Sequence, residues 1–227
     1  MLRAMERAEL TWAYRGVMAI GSPVVRRWGR LEVVGLENLP TEGPTLLIGN
    51  HDSYWDPVAI GVAAARRRQI RALAKSTLWK TKPLAFVLDG MAQIPIERGK
   101  GDVHAMDTAI RELRAGACIG IFPEGTISRG SRLRARSGAG RLALAVPEAE
   151  IVLVTITGSV DIVRFPKRPR IRIEFFRPES GPPRPDERAG ELTIRLMDEI
   201  RRRAPVAIPG RRRTAAKYRA RTAAEAE

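Results

Sequence analysis

The chain is short of the residues that several kinds of site require. Its 227 residues include one cysteine, Cys118, and two histidines, His51 and His104. A single cysteine excludes an intrachain disulfide and leaves no set of thiolates for a zinc site. Cys118 lies in an apolar run, so we expect a buried core residue rather than a nucleophile. His104 has no metal-ligand partner at a useful spacing, and we predict no metal site.

Aromatic and acidic residues are also scarce. Aromatic side chains make up 5% of the chain, and 40 Lys and Arg against 25 Asp and Glu give a formal net charge of +15. Such a charge predicts an anionic partner. No basic stretch is interleaved with aromatic residues as base stacking requires, so we expect an anionic membrane surface or a phosphorylated molecule, and no nucleic acid. The candidate membrane cations are Arg26, Arg27, Arg30, Arg66 to Arg68 and Arg211 to Arg213.

No apolar run is long enough to predict a membrane span. Leu10 to Val25 is mostly apolar, but Arg15 interrupts it and it falls short of the roughly 20 residues that a bilayer requires. It does not resemble a signal peptide either. Two alternatives remain: a helix at a membrane interface, using Trp12, Tyr14, Met18 and Ile20, or a helix packed on the core. We predict an interfacial helical segment over residues 1–30, one domain over 31–203 and a basic tail over 204–227.

Short apolar runs alternate with helical patterns along the domain. This alternation predicts an α/β fold with a largely parallel sheet and helices on its faces. The predicted strands are Leu31–Gly35, Pro44–Gly49, Ile70–Ala74, Met91–Ile96, Ala117–Phe122, Ile151–Ile156 and, at an edge, Ile171–Phe176. The predicted helices are Pro57–Arg68, Lys80–Gly90, Val103–Ala115, Gly140–Val146 and Glu191–Arg203.

A histidine and an aspartate follow the second predicted strand. His51 can exchange a proton near neutral pH, and a carboxylate beside it can select its tautomer. Within one helix, Asp56 would lie roughly 140° around the axis from His51, so a helix would separate them. Pro57 favours instead a loop that enters a helix at Asp56. Taken alone, Asp56 has helix capping as an alternative role.

Two more predicted strands end in polar loops. Phe122-Pro123-Glu124-Gly125-Thr126 follows one strand, and Ile96-Glu97-Arg98-Gly99 follows another. Open α/β sheets place ligands at the carboxyl ends of their strands, so we expect these loops to share a crevice with His51. The Arg98 guanidinium can bind a phosphate there through two parallel hydrogen bonds.

Together these segments resemble the glycerolipid acyltransferase family, which includes the 1-acylglycerol-3-phosphate acyltransferases. Asn50, His51 and Asp56 match its N-H-x-x-x-x-D motif, Ile96 to Gly99 match the second motif, and Phe122 to Thr126 match F-P-E-G-T. Lys75 and Leu78 resemble a K-x-x-L segment between the first two motifs. The third motif continues as Thr126-Ile127-Ser128-Arg129 where many members have T-R-S, which moves that arginine to Arg129.

The resemblance implies a membrane-associated O-acyltransferase of phospholipid biosynthesis. His51 would be the general base for the hydroxyl of 1-acylglycerol 3-phosphate, and Asp56 would orient it, giving phosphatidate. Arg98, Glu124, Gly125, Thr126, Arg129 and Lys75 would bind the acceptor. Acyl-CoA or acyl-carrier protein would be the donor substrate, with no cofactor. We expect a peripheral protein on the cytoplasmic face of the cell membrane.

Other functions remain open at this point. The acceptor could instead be glycerol 3-phosphate, another lysophospholipid or a glycolipid. A protein of a different class would bind anionic lipid or nucleic acid through its basic surface without catalysis. A thioesterase would use His51 to activate water.

Overall fold

The described sheet has seven strands, and each of them runs parallel to at least one neighbour. The computed structural model describes residues 10–97, 102–164, 166 and 168–207. The strands are β1 (Glu32–Val34), β2 (Thr45–Gly49), β3 (Ile70–Lys75), β4 (Ile94–Ile96), β5 (Cys118–Ile121), β6 (Glu150–Thr157) and β7 (Arg172–Phe176), in the order β1-β7-β6-β2-β5-β3-β4. Only the β6–β7 pair is antiparallel among the described strands. The predicted α/β class is confirmed.

One placement differs from the sequence prediction. β7 lies between β1 and β6, so the prediction of an edge strand is wrong. The burial of β7 explains the difference, because Ile173 and Phe175 are fully covered on one face and Phe176 packs on the other. The short strand β1 takes the edge instead and pairs with β7 in parallel through Glu32 to Val34.

Helices cover both faces of the sheet. They are α1 (Trp12–Ser22), α2 (Asp56–Ala64), α3 (Lys82–Gly90), α4 (Val103–Arg114), α5 (Gly138–Ala145) and α6 (Ala189–Arg203). β2 is buried on both faces: Leu47 points into the core formed with α1 and α2, whereas Leu46 and Ile48 point into the core formed with α4, α5 and α6. The continuous apolar pattern of β2 follows from this burial.

Two helices on the same face approach closely at a glycine. A Cβ on Gly140 of α5 would lie 1.9 Å from the Ala189 carbonyl oxygen at the start of α6. The Gly140 N–H donates to Thr193 Oγ1 at 2.9 Å, and that hydroxyl donates to the Ala189 carbonyl. Glycine is therefore required at 140 for α6 to reach the sheet.

The N-terminal helix α1 packs on the core. Tyr14 and Met18 are buried against α2, where Gly61 admits the Met18 side chain, so these two residues are not available to a membrane. Trp12 and Ile20 remain 63% and 79% exposed. α1 continues into a π-helical segment, Pro23–Trp28. In the described part of the chain, no helix combines the length and hydropathy needed to cross a membrane.

One predicted membrane cation is buried. The Arg68 guanidinium donates to the carbonyls of Gly43 and Gly116 and to Thr45 Oγ1, at 2.8 to 3.0 Å. Arg68 is 5% exposed, and burial lowers its pKa. It ties together the loops that precede β2 and β5, so its assignment to a membrane surface is wrong. Arg67 also donates to backbone carbonyls, whereas Arg66 is exposed.

Candidate active site

The site lies where two neighbouring central strands end. β2 and β5 pair in parallel, and both lead into loops at the same edge of the sheet. The chain continues from β2 to α2 on one face and from β5 to α5 on the other. Such a divergence opens a crevice at the carboxyl ends of the strands. The loop after β2 begins with Asn50 and His51, and the loop after β5 begins with Phe122.

His51 and Asp56 meet as the sequence predicted. His51 Nδ1 lies 3.1 Å from Asp56 Oδ2, and the two side chains are 7% and 0% exposed. Asp56 begins α2 and Pro57 occupies its first turn, so a turn of the chain rather than a continuous helix closes the distance. The alternative prediction, that Asp56 caps the helix, is wrong: Trp55 is the cap residue of α2 and makes no side-chain cap hydrogen bond, and the Asp56 carboxylate accepts instead from the N–H groups of Asp52 and Ser53, which precede the helix, at 2.7 and 2.8 Å.

These contacts determine the tautomer of His51. A carboxylate accepts hydrogen bonds and does not donate, so Nδ1 carries a proton and the Nε2 lone pair of the neutral ring is free. All three donors use the same oxygen of Asp56, and Oδ1 is buried with no partner in the described part of the protein. The geometry suits a base oriented by a carboxylate.

Phe122 and Asn50 fix the surroundings of the imidazole. The Phe122 ring stacks on the His51 ring with centroids 4.4 Å apart and an interplanar angle of 14°. Asn50 Oδ1 accepts from the Ile156 N–H at 2.9 Å, and its Nδ2 donates to the Ile156 carbonyl at 2.9 Å. The asparagine of the first motif thus pins the loop to β6.

A buried ionic network lies beneath this loop. Arg201 of α6 donates to both carboxylate oxygens of Asp52 at 3.0 Å, and its Nε donates to Glu124 Oε1 at 3.0 Å. The other oxygen of Glu124 accepts from the His51 N–H at 2.8 Å. Burial raises the pKa of Glu124, and the Arg201 charge and the His51 N–H oppose that rise.

The network includes two residues that sequence reasoning missed, Asp52 and Arg201. Asp52 is adjacent to His51 in the first motif, but the resemblance assigns nothing to that position. Arg201 lies in a predicted amphipathic helix, and its side chain is distinguished from the neighbouring arginines only by the direction in which the folded helix points it. Local periodicity carries no signal for such a contact.

The predicted acceptor residues differ in their placement. Glu124 is 3% exposed and its carboxylate is engaged by Arg201 and by the His51 backbone, whereas Lys75, Thr126 and Arg129 are exposed. Gly125 has a φ of +69°, and the Arg136 side chain lies against its Cα. Arg98 lies outside the described residues. The substrate-binding roles of all six stay predictions.

A cavity of about 600 Å³ opens beside the Phe122 loop. Part of its wall is apolar and comes from β3, β4, β5, α4 and α6, through Leu73, Ile96, Met106, Ile121, Phe122 and Ile194. The polar part carries three arginines that follow the Phe122 loop, Arg134, Arg136 and Arg141, and two acidic residues, Glu97 and Asp102. All three arginines are exposed, and no carboxylate in the described part of the chain pairs with them.

Comparison with known proteins identifies the family. A model of the family described as Acyltransferase matches residues 30–159, more than half of the chain. The chain therefore belongs to the Acyltransferase family. The resemblance found in the three motifs is confirmed.

Named relatives agree with this assignment. The 1-acyl-sn-glycerol-3-phosphate acyltransferase of Borreliella burgdorferi is 34% identical over 118 residues, covering 51% of this chain and 46% of the relative. The enzyme of the same name from Bacillus subtilis is 30% identical over 98 residues, or 43% of this chain and 49% of the relative. The matches to these curated relatives thus span less than half of their lengths.

A solved structure shares the fold of this chain. The crystal structure of the 1-acyl-sn-glycerophosphate acyltransferase of Thermotoga maritima superposes with a TM-score of 0.66 at 20% identity. The similarity covers 83% of this chain and 77% of the other.

Proposed function

We propose that the protein transfers a fatty acyl group from acyl-CoA or acyl-carrier protein to the hydroxyl of 1-acylglycerol 3-phosphate, giving phosphatidate. The buried His51–Asp56 pair carries the proposal, because it offers an oriented base at the crevice of an Acyltransferase domain. The names of the relatives support the choice of acceptor.

The reaction needs one base and a place for negative charge. The acceptor hydroxyl gives its proton to Nε2 of His51 while its oxygen attacks the thioester carbonyl. Asp56 stabilises the imidazolium that forms. The tetrahedral intermediate then collapses, its carbon–sulfur bond breaks, and the departing thiolate takes the proton from His51.

The attacking oxygen belongs to the substrate in this scheme. Cys118 is 1% exposed within β5, and burial raises the pKa of its thiol to about 12, so it is not a usable nucleophile. The Ser53 hydroxyl accepts from the Trp55 N–H and is directed at the Ser159 carbonyl, 3.4 Å away. Neither residue competes with an acceptor hydroxyl at His51.

The cavity beside Phe122 suits an amphiphilic acceptor. Its apolar wall can hold the acyl chain of a lysophospholipid, and its unpaired arginines can bind the phosphate. We place Arg136 and Arg141 in this role beside the predicted Arg98, Arg129 and Lys75. Arg136 is the strongest candidate, because it lies against Gly125 of the third motif.

A peripheral position on the cytoplasmic face of the membrane would deliver such an acceptor. Trp12 of α1 and Phe86 of α3 have ring centroids 5.4 Å apart and are 63% and 65% exposed. Ile20 extends the same helix with another exposed apolar side chain, and Arg15 adds charge beside them. Exposed aromatic and basic residues together favour an anionic interface.

The central test uses the only two histidines of the chain. Purified protein is incubated with acyl-CoA and lysophosphatidate, thiol release is followed, and products are identified by mass spectrometry. We expect phosphatidate from the wild type and from His104→Ala, whose side chain is exposed on α4, and none from His51→Ala. Fatty acid released without acceptor would indicate a thioesterase. Salt-dependent oligonucleotide binding with no turnover would indicate a binding protein.

The acceptor is tested with a panel and with paired arginine variants. Lysophosphatidate is compared with glycerol 3-phosphate, lysophosphatidylcholine and a lyso-glycolipid. Arg136→Ala and Arg141→Ala should raise KM for lysophosphatidate about tenfold, because each removes a charge-assisted contact to phosphate. Arg132→Ala is the control, since that side chain lies in the same loop as Arg136 but pairs with Asp198 at 2.6 Å. Equal effects of all three variants would contradict the assignment.

A further inference from the structure

Helix α6 places one charged side chain, that of Arg201, against the loops that form the candidate active site. Arg201 lies outside residues 30–159, which the family model matches. Its side chain is 6% exposed, although its neighbours Arg202 and Arg203 face solvent. A guanidinium is buried in a protein only where its donors find partners.

The partners of Arg201 come from two different loops. Two of its nitrogens face the two oxygens of Asp52, each at 3.0 Å, in the parallel arrangement that makes arginine–carboxylate pairs specific. Nε and Nη2 both contact Glu124 Oε1, in the loop after β5. Asp52 and Glu124 are separated by 72 positions in sequence, and this one cation joins them.

Both carboxylates also form hydrogen bonds with the segment around His51. Glu124 Oε2 accepts from the His51 N–H at 2.8 Å. Asp52 Oδ2 accepts from Asn50 Nδ2 at 3.0 Å, and the Asp52 N–H donates to Asp56 Oδ2 at 2.7 Å. His51 is thus held from both sides through groups that Arg201 holds.

The two buried negative charges of Asp52 and Glu124 require the positive charge of Arg201. Asp52 and Glu124 are 5% and 3% exposed, and two buried carboxylates on one site repel each other unless a cation lies between them. Lysine would supply the charge, but it cannot present two parallel donors to Asp52 and a third to Glu124. A guanidinium is therefore required to make the contacts with both Asp52 and Glu124.

We propose that Arg201 is a positioning residue for acyl transfer. It holds the His51 loop and the Phe122 loop in the relative arrangement that the reaction requires, and it does not contact substrate. The expected change in kcat rests on the proposed function, whereas the expected change in the structure of the His51 loop does not depend on any activity. A displacement of about 1 Å in a catalytic group can cost about a hundredfold in rate. We expect the loss of Arg201 to act in this way.

The test compares Arg201→Lys and Arg201→Met with Arg203→Met. Arg203 is the matched control, because it lies on the same helix and pairs with Glu174 and Glu179 at the surface, where its side chain is 31% exposed. In acyl transfer, Arg201→Lys should lower kcat about 10- to 100-fold and leave both KM values within about twofold. Arg203→Met should keep kcat within about twofold.

A second measurement needs no substrate. Hydrogen exchange of the segment 50–56, followed by mass spectrometry, should accelerate in Arg201→Lys and stay unchanged in Arg203→Met. If the wild type proves inactive but exchange responds in this way, the proposed function fails and the positioning role stands. Arg201→Lys keeps the test valid if Arg201→Met does not fold.

Three results would overturn the proposal. A folded Arg201→Lys protein with wild-type kcat and exchange would show that the network is dispensable. A loss confined to KM would mean that Arg201 contacts substrate. An equal loss of kcat in Arg203→Met would show that the effect comes from general destabilisation of α6.

Discussion

Replacing Asp56 by asparagine separates the charge of this residue from its hydrogen bonds. Asp56 Oδ2 accepts from His51 Nδ1, Asp52 N and Ser53 N, whereas Oδ1 has no partner among the described residues. An asparagine carbonyl can take the Oδ2 position and keep all three donors. Its amide nitrogen then occupies the Oδ1 position. His51 would keep its Nδ1–H tautomer, with Nε2 still free to act as a base.

The expected rate loss follows from the missing charge alone. At an effective dielectric constant of about 20, two unit charges at the observed His51–Asp56 distance attract by about 5 kcal/mol. The asparagine dipole recovers part of this, so we expect about 3 kcal/mol of lost stabilisation of the imidazolium, or about a hundredfold in kcat/KM. Reversal of the histidine tautomer in a serine-protease triad costs more, about 10⁴-fold.

The assay is thiol release from acyl-CoA with lysophosphatidate, combined with urea unfolding. Asp56→Asn should also lose about 1 to 3 kcal/mol of stability, because its amide nitrogen is buried without an acceptor. Asp198→Asn, which removes one partner of an exposed ion pair, is the control for both measurements. A loss below about fivefold would refute the electrostatic role of Asp56. A loss near 10⁴-fold would refute the retained tautomer.

Three further predictions concern the supporting structure. Gly140→Ala should lose more than about 2 kcal/mol in thermal unfolding, because its Cβ would lie 1.9 Å from the Ala189 carbonyl oxygen, whereas Gly190→Ala, which meets nothing within 4 Å, should change little. Cys118 should resist alkylation in the native protein and react in urea, since burial raises its pKa to about 12; rapid native labelling would contradict its burial. The N–H groups of Glu97 and Ala105 lower the pKa of Asp102, the cap of α4. Its stabilising contribution should therefore be complete above its unfolded pKa and fall as pH drops through its folded pKa, so the stability difference between wild type and Asp102→Asn should shrink on acidification.

Regular structure was predictable because its signals are local. The apolar runs at Thr45–Gly49 and Cys118–Ile121 and the amphipathic pattern of α6 each appear within one segment. The loop between His51 and Asp56 was predictable as well, since Pro57 restricts the backbone at Asp56, where α2 begins. The three motifs then indicated which strand ends meet.

Contacts between distant charges were not predictable. Arg68 and Arg201 belong to arginine-rich stretches that local patterns treat as surface, yet both are buried. β7 was expected at an edge because one strand's pattern does not say which neighbours cover it. The N-terminal helix left two readings open, and its packing against α2 was decided by the fit of Met18 over Gly61.

The sequence by itself determined the α/β layering, the strand ends that carry the motifs and the pairing of His51 with Asp56. These follow from backbone periodicity and from residues five positions apart. Only the tertiary structure decided that Arg201 lies under His51, with Asp52 and Glu124 as its partners. The reason is physical: a buried charge is stable only where distant parts of the chain bring counter-charges to it, and that position exists only after the sheet and α6 have packed.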